Sequence, residues 1–318
     1  RGYQYTAWII TAVVGGMVYP DAFLHWGNFD LRNKWLILII VQLVMFGMGT
    51  QMSIHDFTRV ARNKKGIIVG LLGHFTIMPL LGFAITRFFN FEPEIAAGII
   101  LIGSCSSGLA SNVMVYLAGG NLALSVTVTA MSTLAAPLMT PFLMKLLAGT
   151  LIEIHFFDMM MEIIKIVIIP IAAALAYNHF KTRYPHTGFS RVATRLDKYM
   201  PLLSMFGIIY FTTVTTAAGQ AHLLQVGLLL FLASVVHNAG GYFFGYWMSR
   251  TFGIDKNSAR TIAFEVGLQN GGMASGLAGT MGKLGTVGLA AAVFSPWMNI
   301  SGSVLANYWK KKPLDPLK

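Results

Sequence analysis

The sequence predicts an all-α integral membrane protein of ten transmembrane helices, built as two inverted five-helix repeats. Three observations carry that prediction: an apolar composition, a basic-residue distribution that alternates along the chain, and two interrupted apolar helices in corresponding places. Of the 318 residues, 55% are hydrophobic and 11% are charged, with a mean hydropathy of +0.63. Soluble domains carry about 25% charged residues. A crossing takes roughly 20 apolar residues, so the length accommodates about ten helices in one unit.

Hydropathy places the spans at approximately Tyr5 to Tyr19, Leu36 to Met52, Gly66 to Phe89, Ile95 to Ala118, Leu122 to Leu147, Met159 to Tyr177, Met200 to Ala218, Leu223 to Ser249, Arg260 to Met281 and Thr286 to Trp309. With the N-terminus cytoplasmic, Arg1 is inside and the inner connections hold Arg59, Arg62, Lys64 and Lys65, then Lys181, Arg183, Arg191, Arg195 and Lys198. They continue with Arg250, Lys256 and Arg260, and end with Lys310, Lys311, Lys312 and Lys318. The outer connections are neutral or acidic, as at Glu92 and Glu94. The positive-inside rule then puts both termini in the cytoplasm. The net charge of +11 is thereby topological and calls for no nucleic-acid partner. The chain starts at Arg1 with no cleavable signal, so a few residues are expected to have been trimmed. The single Cys105 excludes an intramolecular disulfide, a CxxC pair and a cysteine-rich metal site.

The polar exceptions concentrate in Thr261 to Gly276, TIAFEVGLQNGGMASG, where Glu265 is the only acidic residue between Asp255 and Asp315. A charged side chain at bilayer depth costs roughly 2.5–3.5 kcal/mol on insertion scales, and such residues mark ion pathways. Gln269 lies four residues on and shares its helix face. Asn270, Gly271 and Gly272 then interrupt the helix, and a break at membrane depth is tolerated only where its backbone lines a cavity or is buried in protein.

The fourth span carries a matching break. GSCSSGLASN at Gly103 to Asn112 answers GLQNGGMASG at Gly267 to Gly276, and each precedes a long helix with a mid-span proline, Pro137 or Pro296. His74 and His237 occupy the third span of each half. Five spans per half is an odd number, so the halves are inverted, and inverted repeats with two broken helices point to a secondary transporter. Small residues also serve close helix packing, a plainer reading that suits one such stretch better than two in register.

Ser125, Thr129 and Ser132 fall at i, i+4 and i+7 and make one hydroxyl stripe. Alone, such a stripe bonds its own helix or glues helices together. With Ser111, Asn112 and Glu265 it supplies hard oxygens and one negative charge, as a small alkali cation requires. Carbonyls freed around Val266 and Leu268 would add neutral oxygens, while the half-helix N-termini would present N–H groups to an anion.

At these residues a resemblance becomes specific. GSCSSGLASNVMVYLAGGNLALSVTVTAMSTLAAPLMTP, FEVGLQNGGMASGLA and FGMGTQMSIHDF resemble the bile acid:sodium symporter family, over nearly the whole chain. The resemblance implies a panel domain in two parts, 1–52 and 159–218, and a core domain in two parts, 66–148 and 223–309, in which helices four and nine cross at their breaks. It implies two sodium sites. The first would use Ser111, Asn112, Ser125, Thr129 and Glu265. The second would use Glu265, Gln269, the backbone at Val266 and Leu268, and a side chain from helix three, where His74 stands and similar bacterial chains tend to place Gln. An imidazole can coordinate or hydrogen-bond, and it titrates near physiological pH, so this departure leaves the second site open and adds proton sensitivity as an expectation. Gly108, Leu109, Asn270, Gly271 and Asn299 would face an organic anion: a bile acid, or a small carboxylate such as pantoate or a 2-oxo acid. The setting would be the inner (plasma) membrane, and the mechanism alternating access.

Two other classes draw on the same residues. A proton-coupled organic-anion transporter of the same fold would also use Glu265, whereas proton antiporters usually pair an Asp or Lys at the crossing, which is absent here. An intramembrane hydrolase lacks HExxH and GxSxG, so no enzyme is expected. His237 with Asn238 reads as a structural hydrogen-bonding pair, Glu162 with Lys165 as an ion pair, and the six Trp as interfacial anchors near helix ends.

Overall fold

A computed structural model describes residues 2–58 and 64–312; of the basic residues named above, Arg1, Arg59, Arg62 and Lys318 lie outside them. The chain is mostly helical. Helix α1 (Gly2–Val18) is followed by the short α2 (Pro20–Leu24), with Pro20 in its first turn, and by a hairpin of β1 (His25–Trp26) and β2 (Phe29–Asp30). Gly27 turns that hairpin at φ +62, a conformation open to glycine at little cost. Then come α3 (Lys34–Gly49), α4 (Ile54–Thr58) and α5 (Lys64–Phe89). Asn33 caps α3 by accepting from the N–H groups of Trp35 and Leu36.

Where hydropathy gave a continuous span from Ile95 to Ala118, the structure has two helices, α6 (Pro93–Ser104) and α7 (Ala110–Leu117). After α8 (Leu122–Ala148), α9 (Phe156–Ile163) runs through a π-helical turn at Ile164–Ile168 into α10 (Ile169–Arg183). Pro170 follows that turn; it has no N–H to give to an α-helical partner, which accounts for the widened turn. Next are α11 (Gly188–Asp197), α12 (Met200–Ala218) and α13 (Gln220–Thr251). The expected span from Arg260 to Met281 is again two helices, α14 (Lys256–Gly267) and α15 (Gly271–Thr280), and α16 (Val287–Lys310) ends the described chain. The hairpin, α4 and α11 had no hydropathy signal.

Among the described residues, five helical stretches are long and apolar enough to cross a membrane: Lys64–Phe89, Leu122–Ala148, Phe156–Arg183, Gln220–Thr251 and Val287–Lys310. The shorter broken pieces lie inside them. Every residue of α6 from Ile95 to Ser104 and of α14 from Ser258 to Gly267 is buried. Helix α14 packs against α13, α5 and α8, and α6 against α5, α16 and α8. A second group, α1, α3, α10 and α12, packs mutually and meets the first chiefly through α15 and α16. Polar residues are therefore held inside protein, where neighbouring helices can satisfy them.

Glu162 and Lys165 form the expected ion pair at 3.2 Å. Glu94 at the start of α6 accepts from Lys283 and, at 2.6 Å, from Thr286, tying α6 to the turn before α16. Trp8, Trp26, Trp35 and Trp247 are exposed. Trp297 departs from the interfacial reading: it lies mid-way along α16, packs edge-on against Phe231 at 5.3 Å, and its Nε1 is buried without a partner among the described residues.

Candidate functional site at the crossing of two helix breaks

The backbone leaves the helix at Cys105, which is extended (φ −72, ψ 167), and again at Leu268 (φ −107, ψ 114). The two breaks cross and satisfy each other. Ser107 and Gln269 form an antiparallel bridge, the Asn270 N–H donates to Ser106 O at 2.9 Å, and the Gly108 N–H donates to Leu268 O at 3.3 Å. Gly108 permits this approach, because a Cβ there would lie 2.6 Å from the Gln269 carbonyl oxygen.

Behind the crossing, α8 brings its hydroxyl stripe to Glu265, which is fully buried. Ser125 Oγ lies 2.5 Å from Glu265 Oε1 and 2.7 Å from Asn112 Oδ1. Thr129 Oγ1 lies 2.9 Å from Glu265 Oε2 and 3.3 Å from Asn112 Oδ1. Ser111 Oγ donates to Gly108 O at 2.8 Å and sits 3.3 Å from Thr129 Oγ1. The structure therefore brings together all five residues Ser111, Asn112, Ser125, Thr129 and Glu265. Two hydroxyls, with one hydrogen each, face three acceptor oxygens, both of the carboxylate and that of Asn112. The cluster has more lone pairs than hydrogens to fill them, and a positive charge among them would resolve the excess. The donor set suits a hard alkali cation: oxygens only, with one formal charge.

Of the other expected cation ligands, all but the Gln269 side-chain oxygen, which is buried without a partner among the described residues, are otherwise engaged. Val266 O accepts from Gln269 Nε2 at 2.9 Å, and Leu268 O faces Ser107 Oγ at 3.4 Å besides the Gly108 N–H. His74 is fully buried, its Nδ1 2.9 Å from Glu265 O and its Nε2 2.8 Å from Cys105 O. Ser132 turns away from the carboxylate: it donates to Thr129 O and accepts from the Ser107 N–H. His237 and Asn238 each make a structural contact but with different partners, His237 Nε2 lying 2.8 Å from Met78 O and Asn238 Nδ2 donating to Gly267 O at 2.8 Å.

In front of the crossing lies a cavity of about 300 Å³. Gly108, Leu109, Asn270, Gly271 and Asn299, the five residues expected to face a substrate, all line it. Its remaining wall is mostly apolar, from Val44 and Met48 on α3, Met205, Ile208 and Phe211 on α12, and Met298 on α16, and no charged side chain lines it among the described residues. Asn270 is the N-cap of α15; its Oδ1 accepts from the Met273 N–H. Asn270, Gly271 and Gly272 line the cavity, so the positive end of the α15 dipole lies at its wall. The apolar wall residues were not singled out in the sequence, because no motif distinguishes them from lipid-facing neighbours. Ser107 was also missed as an individual: it lies inside the Ser-rich break, but its contact with Leu268 O exists only once the breaks cross.

Apolar helices around two crossed breaks, a buried carboxylate and an adjoining cavity are the architecture of membrane secondary transporters. Residues 38–226 match the Sodium Bile acid symporter family, and the chain belongs to that family of sodium-dependent transporters. It is 36% identical to the uncharacterized sodium-dependent transporter YocS of Bacillus subtilis (strain 168), over 98% of this chain and 92% of the relative. It is 31% identical to the probable sodium/metabolite cotransporter BASS1, chloroplastic, of Arabidopsis thaliana, over 96% of this chain and 72% of the relative. The probable sodium/metabolite cotransporter BASS2, chloroplastic, of Oryza sativa subsp. japonica is 30% identical over 98% of this chain and 71% of that protein. These relatives carry transporter names, in keeping with the expectation of no enzymatic activity.

Proposed function

We propose that the chain is a sodium-coupled symporter of organic anions, a bile acid or a small carboxylate such as pantoate or a 2-oxo acid, working by alternating access in the inner (plasma) membrane. It would cross ten times as two inverted repeats with both termini cytoplasmic. Segments 66–148 and 223–309 would form the core, and 1–52 and 159–218 the panel. Support for that division comes from the packing of α5, α6, α8, α13, α14 and α16 as one group and of α1, α3, α10 and α12 as another.

The observation that carries the reading is the acceptor-rich cluster of Ser111, Asn112, Ser125, Thr129 and Glu265 directly behind the crossing, with the cavity in front of it. Sodium seated behind would hold the hydroxyls and the carboxylate in one arrangement. That arrangement fixes the crossing strands, and with them Asn270 and the amides of α15 that meet the anion's carboxylate. The cavity lies at the seam between the two helix groups, so rocking one group against the other would open it to alternate sides. A proton on Glu265 would also supply a missing hydrogen, and proton coupling is therefore the second reading.

Uptake of a labelled bile acid, pantoate and a 2-oxo acid into proteoliposomes tests this, with a sodium gradient and, separately, a proton gradient. Sodium-driven accumulation of any one of them is expected. Accumulation driven by protons alone would transfer the coupling role to the second reading.

A further inference from the structure

We infer that the chain binds one sodium ion rather than two, because His74 and the crossing's own hydrogen bonds consume the donors from which a second site would be built. This rests on the sodium-coupled reading above.

The second set of ligands would be Glu265, Gln269, the carbonyls of Val266 and Leu268, and His74. Both nitrogens of the His74 ring lie against backbone carbonyls, Glu265 O at 2.9 Å and Cys105 O at 2.8 Å. The neutral ring donates from one nitrogen to one of these carbonyls and turns its remaining lone pair towards the other, with less than 3 Å between them and no room for an ion. The ring is a strut from α5 to the freed carbonyls of both breaks. Swinging it aside would leave a buried carbonyl without its donor, an arrangement native structures avoid.

The Val266 carbonyl is taken by Gln269 Nε2 at 2.9 Å, and that of Leu268 by Gly108 and Ser107. The Glu265 carboxylate faces Ser125 and Thr129, on the side of the first cluster. Of the whole second set, Gln269 Oε1 alone is buried without a partner. Hard cations bind through several oxygens at once, and one free carboxamide oxygen with the second lone pair of Val266 O does not make such a site. The first cluster differs on this point, since its acceptors outnumber its hydrogens.

The test is equilibrium binding of radiolabelled sodium to the purified full chain in detergent, counted per polypeptide. One ion per chain is expected. Two ions in the unmodified protein would overturn the inference while leaving sodium coupling intact; no sodium at all would overturn the coupling reading itself, and the inference with it. His74→Gln removes the ring and offers a carboxamide oxygen in its place, and is expected to raise the count to two. One ion in both proteins would overturn the part assigned to His74. The count on the unmodified chain decides the stoichiometry whether or not the variant folds.

Discussion

Replacing Glu265 by Gln keeps the side chain's shape and removes its charge. The hydroxyls of Ser125 and Thr129, at 2.5 and 2.9 Å from the carboxylate oxygens, can rotate to meet the amide, because a hydroxyl both donates and accepts. The crossing is therefore expected to survive in Glu265→Gln. An ion held by hydroxyls that already touch the carboxylate lies within about 4 Å of its charge, where attraction amounts to about 4 kcal/mol at an effective dielectric of 20. Losing it should weaken sodium binding by about a thousandfold and abolish sodium-driven uptake. The assay is radiolabelled sodium binding to purified wild type and variant, alongside thermal unfolding to confirm that both are folded. Sodium affinity within tenfold of wild type in a folded Glu265→Gln protein would refute the assignment of the ion to this cluster.

Other substitutions separate the two sides of the crossing. Gly108→Ala sets a methyl group 2.6 Å from the Gln269 carbonyl; an overpacked core of this kind loses about 1–3 kcal/mol, so a lower unfolding temperature and loss of uptake are expected together. Asn270→Ala removes the α15 cap and its NH₂ group from the cavity, and should raise the half-saturating substrate concentration in uptake assays while leaving sodium binding within a few-fold of wild type. On the pH axis, the hydrogen bond from Lys283, and after it that from Thr286, holds the Glu94 carboxyl below its ordinary value. A carboxylate depressed on folding stabilises the fold above its ordinary pKa, and that contribution disappears as pH falls through the depressed value. The gap in unfolding temperature between wild type and Lys283→Met should therefore be widest near neutrality and close in acid.

The sequence revealed the site far better than the walls around it. Glu265, Gln269 and the two small-residue breaks were legible because polar groups and glycines are costly in an apolar span, so their presence demands a structural reason. Ser125 and Thr129 were legible through helical spacing, which puts them on one face whatever that face meets. Nothing local set Val44, Met205 or Phe211 apart, since an apolar side chain reads the same whether it faces lipid, core or cavity. The role of His74 was half legible, since coordination and hydrogen bonding both stood open for its imidazole. Its position was plain, but its partners are the carbonyls of Glu265, 191 residues away, and Cys105, 31 residues away, and a freed carbonyl leaves no mark in sequence. The hairpin at His25–Asp30 was missed for a related reason: hydropathy averages over windows longer than it.

A single cation behind the crossing would fix the electrical character of transport. Binding of sodium and binding of anion would be linked through the same crossed strands, and such linkage is reciprocal: whatever affinity sodium adds for the anion, the anion adds for sodium. Among the described residues the cavity lining offers no cationic side chain, so an anion's charge there would be offset by the N-terminus of α15 and by an ion behind it, one charge against one. A monocarboxylate moving with one sodium carries no net charge. With pantoate as the transported anion and a fixed sodium gradient, an imposed potential of 100 mV should leave the final accumulation ratio unchanged. A second sodium would carry one net charge per cycle, worth about 2.3 kcal/mol at that potential, and would raise the ratio by about 50-fold. A rise of that size would show that two ions cross with each anion, and that the Glu265 cluster is only half of the coupling site.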